Sequence, residues 1–436
     1  MQHTRGMVRH ETKRDGRRKR LSNRALIVGL DIGKRRHAAW MIDPQSRPLG
    51  RAKVDATPVG IADMLGRAER ARASAQLDET VVALEPTSHL WMLIAHDLER
   101  RGVDYLVVHP ISVWRGREIR EYSYAKDDFR DASLIAELAA QLHFTQARLR
   151  EPLWQTMRSL AYERFGLVEL RSRAYQETGA HLEVLFPNYP VFHRLSLASR
   201  TVLSSDPDPQ RIASMEFDDF VAEVRRNYQG SRLSRATLRR IHQAAQESWG
   251  LGARAQGSKL RLQLAMQRQR FVADQIELLD EHLLRLYEQT AYAEIAETMP
   301  GMTSITAAML LALIGDPADF DSGRCLSKLA GMNARENESG EFNGSRSITR
   351  RGNPVLRAVG FRTAVSLAKN NPDFSARLAY LMHRRSNPLT RRQAYVALTN
   401  KMFRVLHVMW VNREPYDSHI TSGRKPPNLL TNNVSG

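Results

Sequence analysis

The sequence has 436 residues, with 65 Lys and Arg against 47 Asp and Glu, so its formal net charge is +18. A hydrophobic fraction of 42% is enough for packed cores, which excludes a chain that is disordered throughout. The basic excess favours a polyanionic partner such as nucleic acid, because each phosphate that is neutralised releases a condensed counterion.

Cys325 is the only cysteine, which excludes an intramolecular disulfide and a zinc site built on several cysteines. No run of about 18 apolar residues is present to span a bilayer. The basic N-terminus is not followed by the apolar segment of a signal peptide. We therefore expect a protein without a membrane anchor that resides in the cytoplasm, in association with the nucleoid.

The N-terminal region divides into a polar arm and a sheet. Residues 1–24 hold nine Lys or Arg and two acids, which predicts a disordered basic arm that could grip phosphates or be only a solvated tail. The apolar runs ALIVGLDIG and HAAWMID predict two strands, broken at Gly33 and Lys34, and a third strand is predicted near residues 51–54.

Alternating elements continue to residue 150. A helix is predicted from Pro58 to about residue 73, followed by a strand over residues 80–85, a helix over 89–102, a strand over 103–109 and a helix over 128–142. Three strands followed by alternating helix and strand predict a mixed α/β sheet of about five strands. We assign this sheet to a domain that spans residues 25–150.

Strand signals largely end there. Residues 151–290 are predicted to form a helical linker, interrupted by a Pro/Ser/Asp loop at 204–209. Near its end, apolar residues alternate three and four positions apart, with Gln269 in the one gap, which is the pattern of a coiled-coil seam. The seam could pack within a bundle, but we prefer a coiled coil that pairs two chains. Its apolar members are Leu262, Ala265, Val272, Ile276, Leu279, Leu283 and Leu286.

The C-terminal region is predicted to be mainly helical. Residues 291–415 form this domain, with a long polar loop at 333–353, and residues 416–436 form a flexible tail. The stretch MPGMTSITAAMLLALIGDPADF resembles a helix-hairpin-helix, whose turn can bind a DNA phosphate. Thr303 stands where such turns usually have a second glycine, so a packing role is equally open.

Four acidic residues are candidates for one site. Asp31 and Glu85 end strands, and Asp128 and Asp131 lie three apart on one face of a helix. Carboxylates at a sheet end repel one another unless a cation balances them, and such oxygen ligands suit Mg²⁺ or Mn²⁺. Two ions of this kind can activate an attacking oxygen at a phosphodiester and stabilise the leaving one.

Each acid also has a plainer interpretation. Asp31 could terminate a strand, Glu85 could lie in a surface turn, and Asp127 or Asp128 could cap a helix. Asp127 is a rival to Asp128, because it lies four residues before Asp131 on roughly the same face.

The loop at 333–353 offers a nucleophile and cations. Ser339, Ser345 and Ser347 are nearly indistinguishable by chemistry, since a serine hydroxyl attacks poorly without a base or a metal. We predict nucleic-acid contacts from basic residues of the first domain, of this loop and of the segment just after it: Lys34, Lys126, Arg346, Arg350, Arg351 and Arg357.

These motifs resemble a known family. GLDIGKRRHAAWMID, LEPTSHLW, DYLVVHP and AKDDFRDASLIAELA resemble, in order and spacing, the DEDD domain of the one-ten family of bacterial insertion-sequence transposases. The family pattern Lys-x-Asp-x-x-Asp-Ala starts at Lys126 and favours Asp128 over Asp127. Its Glu-Pro-Thr-Gly-His motif has Ser88 in place of glycine here.

A second motif set resembles the same family's C-terminal serine domain. Pro300 with Gly301 and Ala330 with Gly331 match its first two elements, and a basic segment that starts at Thr349 matches the last. The family's serine falls on Ser339, whereas Ala334 replaces its proline. The resemblance extends over about residues 25–415.

The resemblance implies an α/β ribonuclease-H-like fold, like that of Holliday-junction resolvases, then a helical coiled-coil linker and a mainly helical C-terminal transposase domain. It implies a catalytic site in which the four acids hold Mg²⁺ or Mn²⁺ at the scissile phosphate and Ser339 forms a covalent ester with DNA. The implied partners are donor and target DNA, an element-encoded guide RNA and further copies of the chain, in dimers that pair into a tetramer with active sites shared between protomers.

Two rival functions remain open at this stage. The first is a metal-dependent junction-resolving nuclease, in which water attacks and Ser339 is structural. The second is a non-catalytic, basic scaffold that binds RNA or DNA. The acids argue against the scaffold, because a phosphate-binding surface has no use for a cluster of carboxylates.

Overall fold

The computed structural model describes residues 21–86, 89–120, 127–145, 149–190, 195–335, 338–339, 342–343 and 347–418. The predicted basic arm lies outside these residues except for its last four, and the predicted tail lies outside them beyond residue 418. The chain divides into two compact units, Met1–Arg150 and Glu151–Gly436, and each is described by itself.

The first unit is built on a five-stranded mixed sheet in the order β3-β2-β1-β4-β5. Strand β1 is antiparallel to β2 and parallel to β4, while β3 extends the antiparallel side and β5 the parallel side. The mixed five-stranded sheet predicted from the sequence is thereby confirmed. The strands are β1 (Ala25–Asp31), β2 (Arg36–Ile42), β3 (Pro48–Asp55), β4 (Glu79–Leu84) and β5 (Tyr105–Val107).

Strand β1 is the centre of this unit because both of its faces are covered. Leu26, Val28 and Leu30 face one apolar layer, and Ala25 and Ile27 face the other. A strand buried on both sides reads as a continuous apolar run, which is why ALIVGL was recognisable in the sequence. Four helices cover the sheet: α1 (Pro58–Ser74), α2 (Trp91–Arg100), α3 (Pro110–Arg120) and α4 (Asp128–Ala140).

Helix α3 was not predicted from the sequence. Of its side chains that the structure describes, only that of Val113 is buried, so the helix lacks the apolar repeat that marks an amphipathic helix. Gly116 lies where α3 meets α4, and a Cβ there would be 2.8 Å from Cδ1 of Leu134. The close approach of α3 to α4 therefore depends on the missing side chain of Gly116.

Helix α4 lies directly on β1 at Gly29. A Cβ at this position would be 2.1 Å from the carbonyl oxygen of Ala132 and 2.6 Å from the backbone nitrogen of Ala136. Ala132 and Ala136 are both fully buried. The backbones of strand and helix thus pack without intervening side chains, which brings the first turn of α4 close to the end of β1.

The second unit begins with a long antiparallel helix pair. Arg164 on the first helix pairs with Asp280 on the second, and Glu177 further along pairs with Arg268. Positions advance along one helix as they recede along the other, so the two run in opposite directions. The helices are α5 (Pro152–Leu185) and α10 (Gln256–Glu288).

The seam predicted on α10 packs inside the chain. Gln269, its polar gap, donates Nε2 to Thr178 Oγ1 at 2.6 Å and to the carbonyl oxygen of Ala174 at 3.2 Å, both on α5. Because α5 of the same chain covers it, the seam is not an apolar stripe offered to a second copy, and the preferred pairing of two chains through it is not confirmed. Its buried members are Leu262, Ala265, Val272, Ile276 and Leu283.

Four short helices pack against one end of this pair around a separate apolar cluster. The predicted interruption at 204–209 is confirmed, because one helix ends at Ser205 and the next begins at Pro209. The four helices are α6 (Leu197–Ser205), α7 (Pro209–Ser214), α8 (Phe217–Asn227) and α9 (Arg235–Gln246).

The other ends of α5 and α10 join the core of the C-terminal helices. Its central helix is α11, in which every residue from 307 to 314 is buried. None of the helices in the described part of the chain combines the length and apolar character that crossing a bilayer requires. The C-terminal helices are α11 (Ser304–Ile314), α12 (Gly323–Leu329), α13 (Pro354–Asn370), α14 (Pro372–His383) and α15 (Arg391–Asn412).

Replacing Gly29 tests the strand-to-helix contact. We expect Gly29→Ala to destabilise the protein by about 2 kcal/mol or more, because its Cβ would overlap the backbone of α4. Thermal unfolding of the full chain measures the loss. Gly50→Ala in β3 is the matched control, since a Cβ there would meet only Met41 Sδ at 3.6 Å. Equal stability of both variants would contradict the close packing.

Candidate active site

Asp31 and Glu85 lie at one edge of the sheet. Strands β1 and β4 are parallel and pair Leu30 with Leu84, so the residues that follow these two lie side by side at the carboxyl ends of neighbouring strands. Glu85 is buried, with 8% of its surface exposed. The sheet register therefore brings two of the predicted acids together.

The electrostatics of Glu85 bring a third acid into the same place. Burial raises the pKa of Glu85, the guanidinium of Arg117 opposes this, and the carboxylates of Asp31 and Asp131 raise the pKa further. The net direction is upward, because desolvation and like charges both disfavour the ionised form. The carboxylates of Asp31 and Asp131 thus both lie close enough to Glu85 to repel it.

Asp131 is held by a cation from α3. It is buried, with 7% of its surface exposed, and Arg117 Nε donates to its Oδ1 at 2.6 Å. Arg117 directly follows Gly116, the residue through which α3 approaches α4. Sequence reasoning missed Arg117, because its role depends on a helix that left no apolar repeat.

Asp128 begins α4 and is more exposed. Its Oδ2 lies 3.1 Å from Nζ of Lys53 on β3. Asp127 precedes it as the N-cap residue, and its side chain accepts a hydrogen bond from the backbone nitrogen of Phe129 at 3.1 Å. Asp127 therefore has the capping role that the sequence left open, while Asp128 and Asp131 project from the helix. The sequence did not predict this contact, because Lys53 is one of the polar residues that alternate with apolar ones along a strand and so resembles an ordinary surface residue.

Among the described residues, no three Asp, Glu, His or Cys side chains are arranged closely enough to hold a metal ion. The donor chemistry nonetheless fits a divalent cation, since two carboxylates repel a buried glutamate and such hard oxygen ligands suit Mg²⁺ or Mn²⁺. In this structure Arg117 and Lys53 supply the positive charge beside Asp131 and Asp128.

Two cations were predicted to bind nucleic acid in the first unit, and the structure describes one of them. Lys34 is exposed in the turn between β1 and β2, at the same edge of the sheet as Asp31. Lys126 lies outside the described residues, as do Thr87 and Ser88 of the motif that follows Glu85. Of these two cations, only Lys34 therefore lies within the described residues.

In the second unit, the base of the predicted serine loop is closed by its glycines. Gly331 has a left-handed φ of +67°, and its carbonyl oxygen accepts from the backbone nitrogen of Arg350 at 3.0 Å. A Cβ on Gly352 would be 2.4 Å from the backbone nitrogen of Gly331. The two ends of the loop thus lie against each other, backbone to backbone.

Within the loop, short strands replace the irregular coil expected from its polar sequence. The residue that carries the predicted nucleophile, Ser339, pairs with Phe342. The Ser339 side chain lies outside the described part of the structure, as does Arg346. The strands are β6 (Ala334–Arg335), β7 (Glu338–Ser339), β8 (Phe342–Asn343) and β9 (Ser347–Ile348), with β6 antiparallel to β9 and β7 antiparallel to β8.

The basic residues at the end of the loop and just after it fall into two kinds. Arg350 and Arg351 are exposed. Arg357 is partly buried, and its Nη1 donates to the carbonyl oxygen of Ala330 at 2.9 Å, at the base of the loop. Arg357 thus has a structural contact that its place in a basic segment did not indicate.

The helix-hairpin-helix resemblance at residues 299–320 is best explained by packing. Thr303 caps α11, and its side chain accepts from the backbone nitrogen of Thr306. A Cβ on Gly301 would be 2.8 Å from Cβ of Asn370, so this glycine allows the turn to approach α13. Asp316 accepts from Tyr292 Oη and from the backbone nitrogen of Ala318. These contacts favour the packing alternative.

Two family models match the chain. Residues 28–187 match a transposase family named for the DEDD domain of IS110, and residues 293–379 match the transposase IS116/IS110/IS902 family. An uncharacterized 44.8 kDa protein of insertion element IS116 from Streptomyces clavuligerus is 25% identical over 388 residues, which cover 88% of this chain and 94% of the relative.

Shorter matches cover part of the relatives. The transposase for insertion sequence element IS1111A of Coxiella burnetii is 29% identical over 141 residues, 31% of this chain and 38% of the relative. The pilin gene-inverting protein of Moraxella lacunata is 26% identical over 153 residues, 34% of this chain and 47% of the relative. In each of these two matches, the chain spans less than half of the relative's length.

Neutralising Glu85 tests the crowding of the acids. A raised pKa favours folding at low pH, and this contribution is lost as the pH rises through the folded-state pKa. Glu85→Gln should therefore stabilise the protein at pH 7.5 by on the order of 1 kcal/mol and change it less at pH 4. Thermal unfolding in EDTA measures both, with exposed Glu118→Gln as control. A lower melting temperature of Glu85→Gln at both pH values would mean that Arg117 dominates.

Two arginines near the loop should behave differently. Replacing exposed Arg351 with Gln should lower the salt dependence of nucleic-acid binding by roughly one unit of slope if it contacts a phosphate, with little change in stability. Replacing Arg357 with Gln should instead destabilise the loop base, because the carbonyl of Ala330 loses its donor. Anisotropy titrations and thermal unfolding measure these effects. A drop in stability for Arg351→Gln alone would reverse the assignment.

Proposed function

Because this chain belongs to the IS110 family of insertion-sequence transposases, we propose that it cleaves and rejoins DNA to insert and excise its own mobile element. The observation that carries the proposal is the cluster at the sheet edge. Asp31 and Asp131 both repel buried Glu85 there, with Lys34 exposed at the same edge. Such a group of carboxylates is costly for a protein that only binds phosphates, and it suits phosphodiester chemistry.

We further propose that the first unit has the ribonuclease-H-like fold. The support is the strand order β3-β2-β1-β4-β5, with β2 antiparallel to β1 and the other central neighbour parallel. The acids at the ends of β1 and β4 and on α4 occupy the edge where the strands of such a sheet present their carboxyl ends.

The residues that would hold Mg²⁺ or Mn²⁺ are Asp31, Glu85, Asp128 and Asp131. A divalent ion bound there would balance the carboxylates and offset charge that develops on the phosphate. Ionised Glu85 is the form that can act as a ligand, so ion binding should strengthen as the pH rises through its raised pKa. Arg117 and Lys53 would have to share Asp131 and Asp128 with the ion.

Ser339 is the proposed nucleophile. Its Oγ would form a bond to the scissile phosphorus and lose its proton, while the bond to the leaving sugar oxygen breaks and that oxygen takes up a proton. The serine–DNA ester keeps the energy of the broken bond, so that a hydroxyl of the new strand can displace the serine and rejoin the DNA. The closed base of its loop would limit where the serine can move.

The family resemblance also suggests a guide RNA and an assembly of dimers into a tetramer. Because α5 covers the seam of α10, pairing of protomers through this helix would need its outer face. Leu264, Phe271 and Leu278 are exposed there at seven-residue intervals. Action on DNA would place the protein at the nucleoid.

The serine separates this function from its nearest rival. Ser339→Ala should abolish both cleavage and a covalent protein–DNA adduct, and Asp131→Asn should abolish cleavage while leaving DNA binding nearly intact. Denaturing gels of the protein with labelled element-end DNA, the matching guide RNA and Mg²⁺ measure both products.

Ser347→Ala is the control and should retain most of the activity. Persistent nicking by Ser339→Ala without an adduct would instead support a metal-dependent junction-resolving nuclease, in which water attacks. Cleavage by Asp131→Asn at the rate of the unaltered protein would contradict the acidic site.

A further inference from the structure

Four basic residues from three helices gather on the C-terminal unit: Arg324 on α12, Arg377 on α14, and Lys401 and Arg404 on α15. We call them the cation cluster. A Cβ on Gly323 would lie 2.5 Å from the Cα of Arg404, so α12 begins directly against α15 at this point. Lys401 and Arg404, three residues apart, share a face of α15.

Charges of the same sign act on one another in this cluster. Burial lowers the pKa of Arg404, and the charges of Arg324 and Arg377 lower it further. Burial also lowers the pKa of Lys401, with Arg404 and Arg377 adding to the effect. Arg404 therefore lies near Arg324 and Arg377, and Lys401 lies near Arg404 and Arg377. Lys401 is half-buried, whereas Arg404 keeps an exposed side chain.

Local contacts do not neutralise the arginines. Within the described part of the chain, no carboxylate lies at ion-pair distance from Arg324, Arg377 or Arg404. Arg404 Nε donates to the carbonyl oxygen of Asn400 at 3.1 Å, and the guanidinium of Arg377 lies over the exposed ring of Tyr380 at 5.1 Å. Both contacts orient a guanidinium and leave its charge in place.

Other arginines of the same unit form ion pairs with carboxylates. Arg211 is bound by Glu223, and Arg362 by Glu169. The repulsion within the cation cluster thus reflects its local composition and is not general to the unit. Crowded guanidinium groups bind a phosphate strongly, because it relieves their repulsion and accepts paired hydrogen bonds.

We propose that Arg324, Arg377, Lys401 and Arg404 form a binding site for the backbone phosphates of a nucleic acid. The inference rests on the proposed function only in taking nucleic acid as the ligand, and it does not depend on which group attacks the phosphorus. Phosphate contacts carry no base sequence, so the site fixes the position of a strand and leaves sequence selection to other parts.

The cation cluster lies near the base of the loop that carries Ser339, so a phosphate bound there would be close to this loop. Asn400, the neighbour of Lys401, donates Nδ2 to the carbonyl oxygen of Met332 at 3.1 Å. Met332 leads into β6 and the loop that carries Ser339. One turn of α15, about 5 Å along its axis, therefore carries both the anchor of the loop and two of the cations. A strand held by the cluster would be kept in register with the loop.

The test uses the full chain carrying Ser339→Ala, so that cleavage does not contribute. Anisotropy titrations over a range of KCl concentrations compare this protein with the same protein carrying Lys401→Gln and Arg404→Gln. We expect the salt slope of duplex DNA binding to fall by roughly one to two units. Arg385→Gln with Arg392→Gln is the matched control, since both residues are exposed in the same unit and remove equal charge.

A slope lowered equally by the control pair, or unchanged in the cluster pair, would overturn the proposal. A hairpin RNA of equal charge is titrated in parallel, and the nucleic acid with the larger loss identifies the natural strand. Because the binding assay contains no cleavage step, failure of the serine chemistry would leave its result unchanged.

The melting temperature of the protein gives a second test of the proposed phosphate site. Arg404→Gln should keep or raise the melting temperature at low salt, because it relieves repulsion, and the gain should shrink at high salt. Inorganic pyrophosphate should stabilise the unaltered protein and stabilise the variant less. A clear fall in the melting temperature of Arg404→Gln would show that the guanidinium is a structural partner, which contradicts the proposal.

Discussion

The contact on which the first unit depends is the one between the backbones of β1 and α4 at Gly29. Any side chain at this position would overlap the carbonyl of Ala132. Because the helix can rest directly on the strand, its first turn reaches the sheet edge where β1 and β4 end. The acidic cluster exists only through this approach, since Asp131 comes from the helix while Asp31 and Glu85 follow strands. Gly116 likewise allows α3 to approach α4 closely, and the next residue, Arg117, then reaches Asp131.

Each unit contains a cluster of like charges, which is acidic in the first unit and basic in the second. In the first unit, Asp31 and Asp131 crowd around a buried glutamate. Arg117 pairs with Asp131, and Lys53 pairs with Asp128 in the first turn of the same helix. In the second, four cations crowd on α12, α14 and α15, and the three arginines have no carboxylate partner within the described residues. Crowding of like charge costs folding free energy, and the ligands that we propose would offset it: a metal ion at the acidic cluster and a phosphate at the cation cluster. Both are what a protein that acts on nucleic acid would need.

The two long helices of the second unit, α5 and α10, pack against each other within the chain. Their apolar seam is covered within the chain, and Gln269 fills its gap with hydrogen bonds to α5. The helix pair is thus an internal support, which ends in the same apolar core as the C-terminal helices. On that core, Gly331 and Gly352 close the base of the serine loop, and Asn400 and Arg357 hold the segment just before it. These contacts fix the two ends of the segment that carries Ser339.

The sequence by itself determined the mixed five-stranded sheet, because a strand buried on both faces must be a continuous apolar run, and it singled out the acids because charges at strand ends are conspicuous. It also determined the helical character of the later chain and its break near Pro209. Helix α3 was missed, since a helix with little buried surface has no apolar repeat. The seam was recognised, but a periodic stripe does not specify whether its partner belongs to the same chain. Only the tertiary structure decided that α5 covers it, that Asp127 caps α4, and that Arg117 and the cation cluster meet residues distant in sequence. Such pairings depend on how helices approach one another, which is set by contacts such as those of Gly29 and Gly323 and has no signature along the chain.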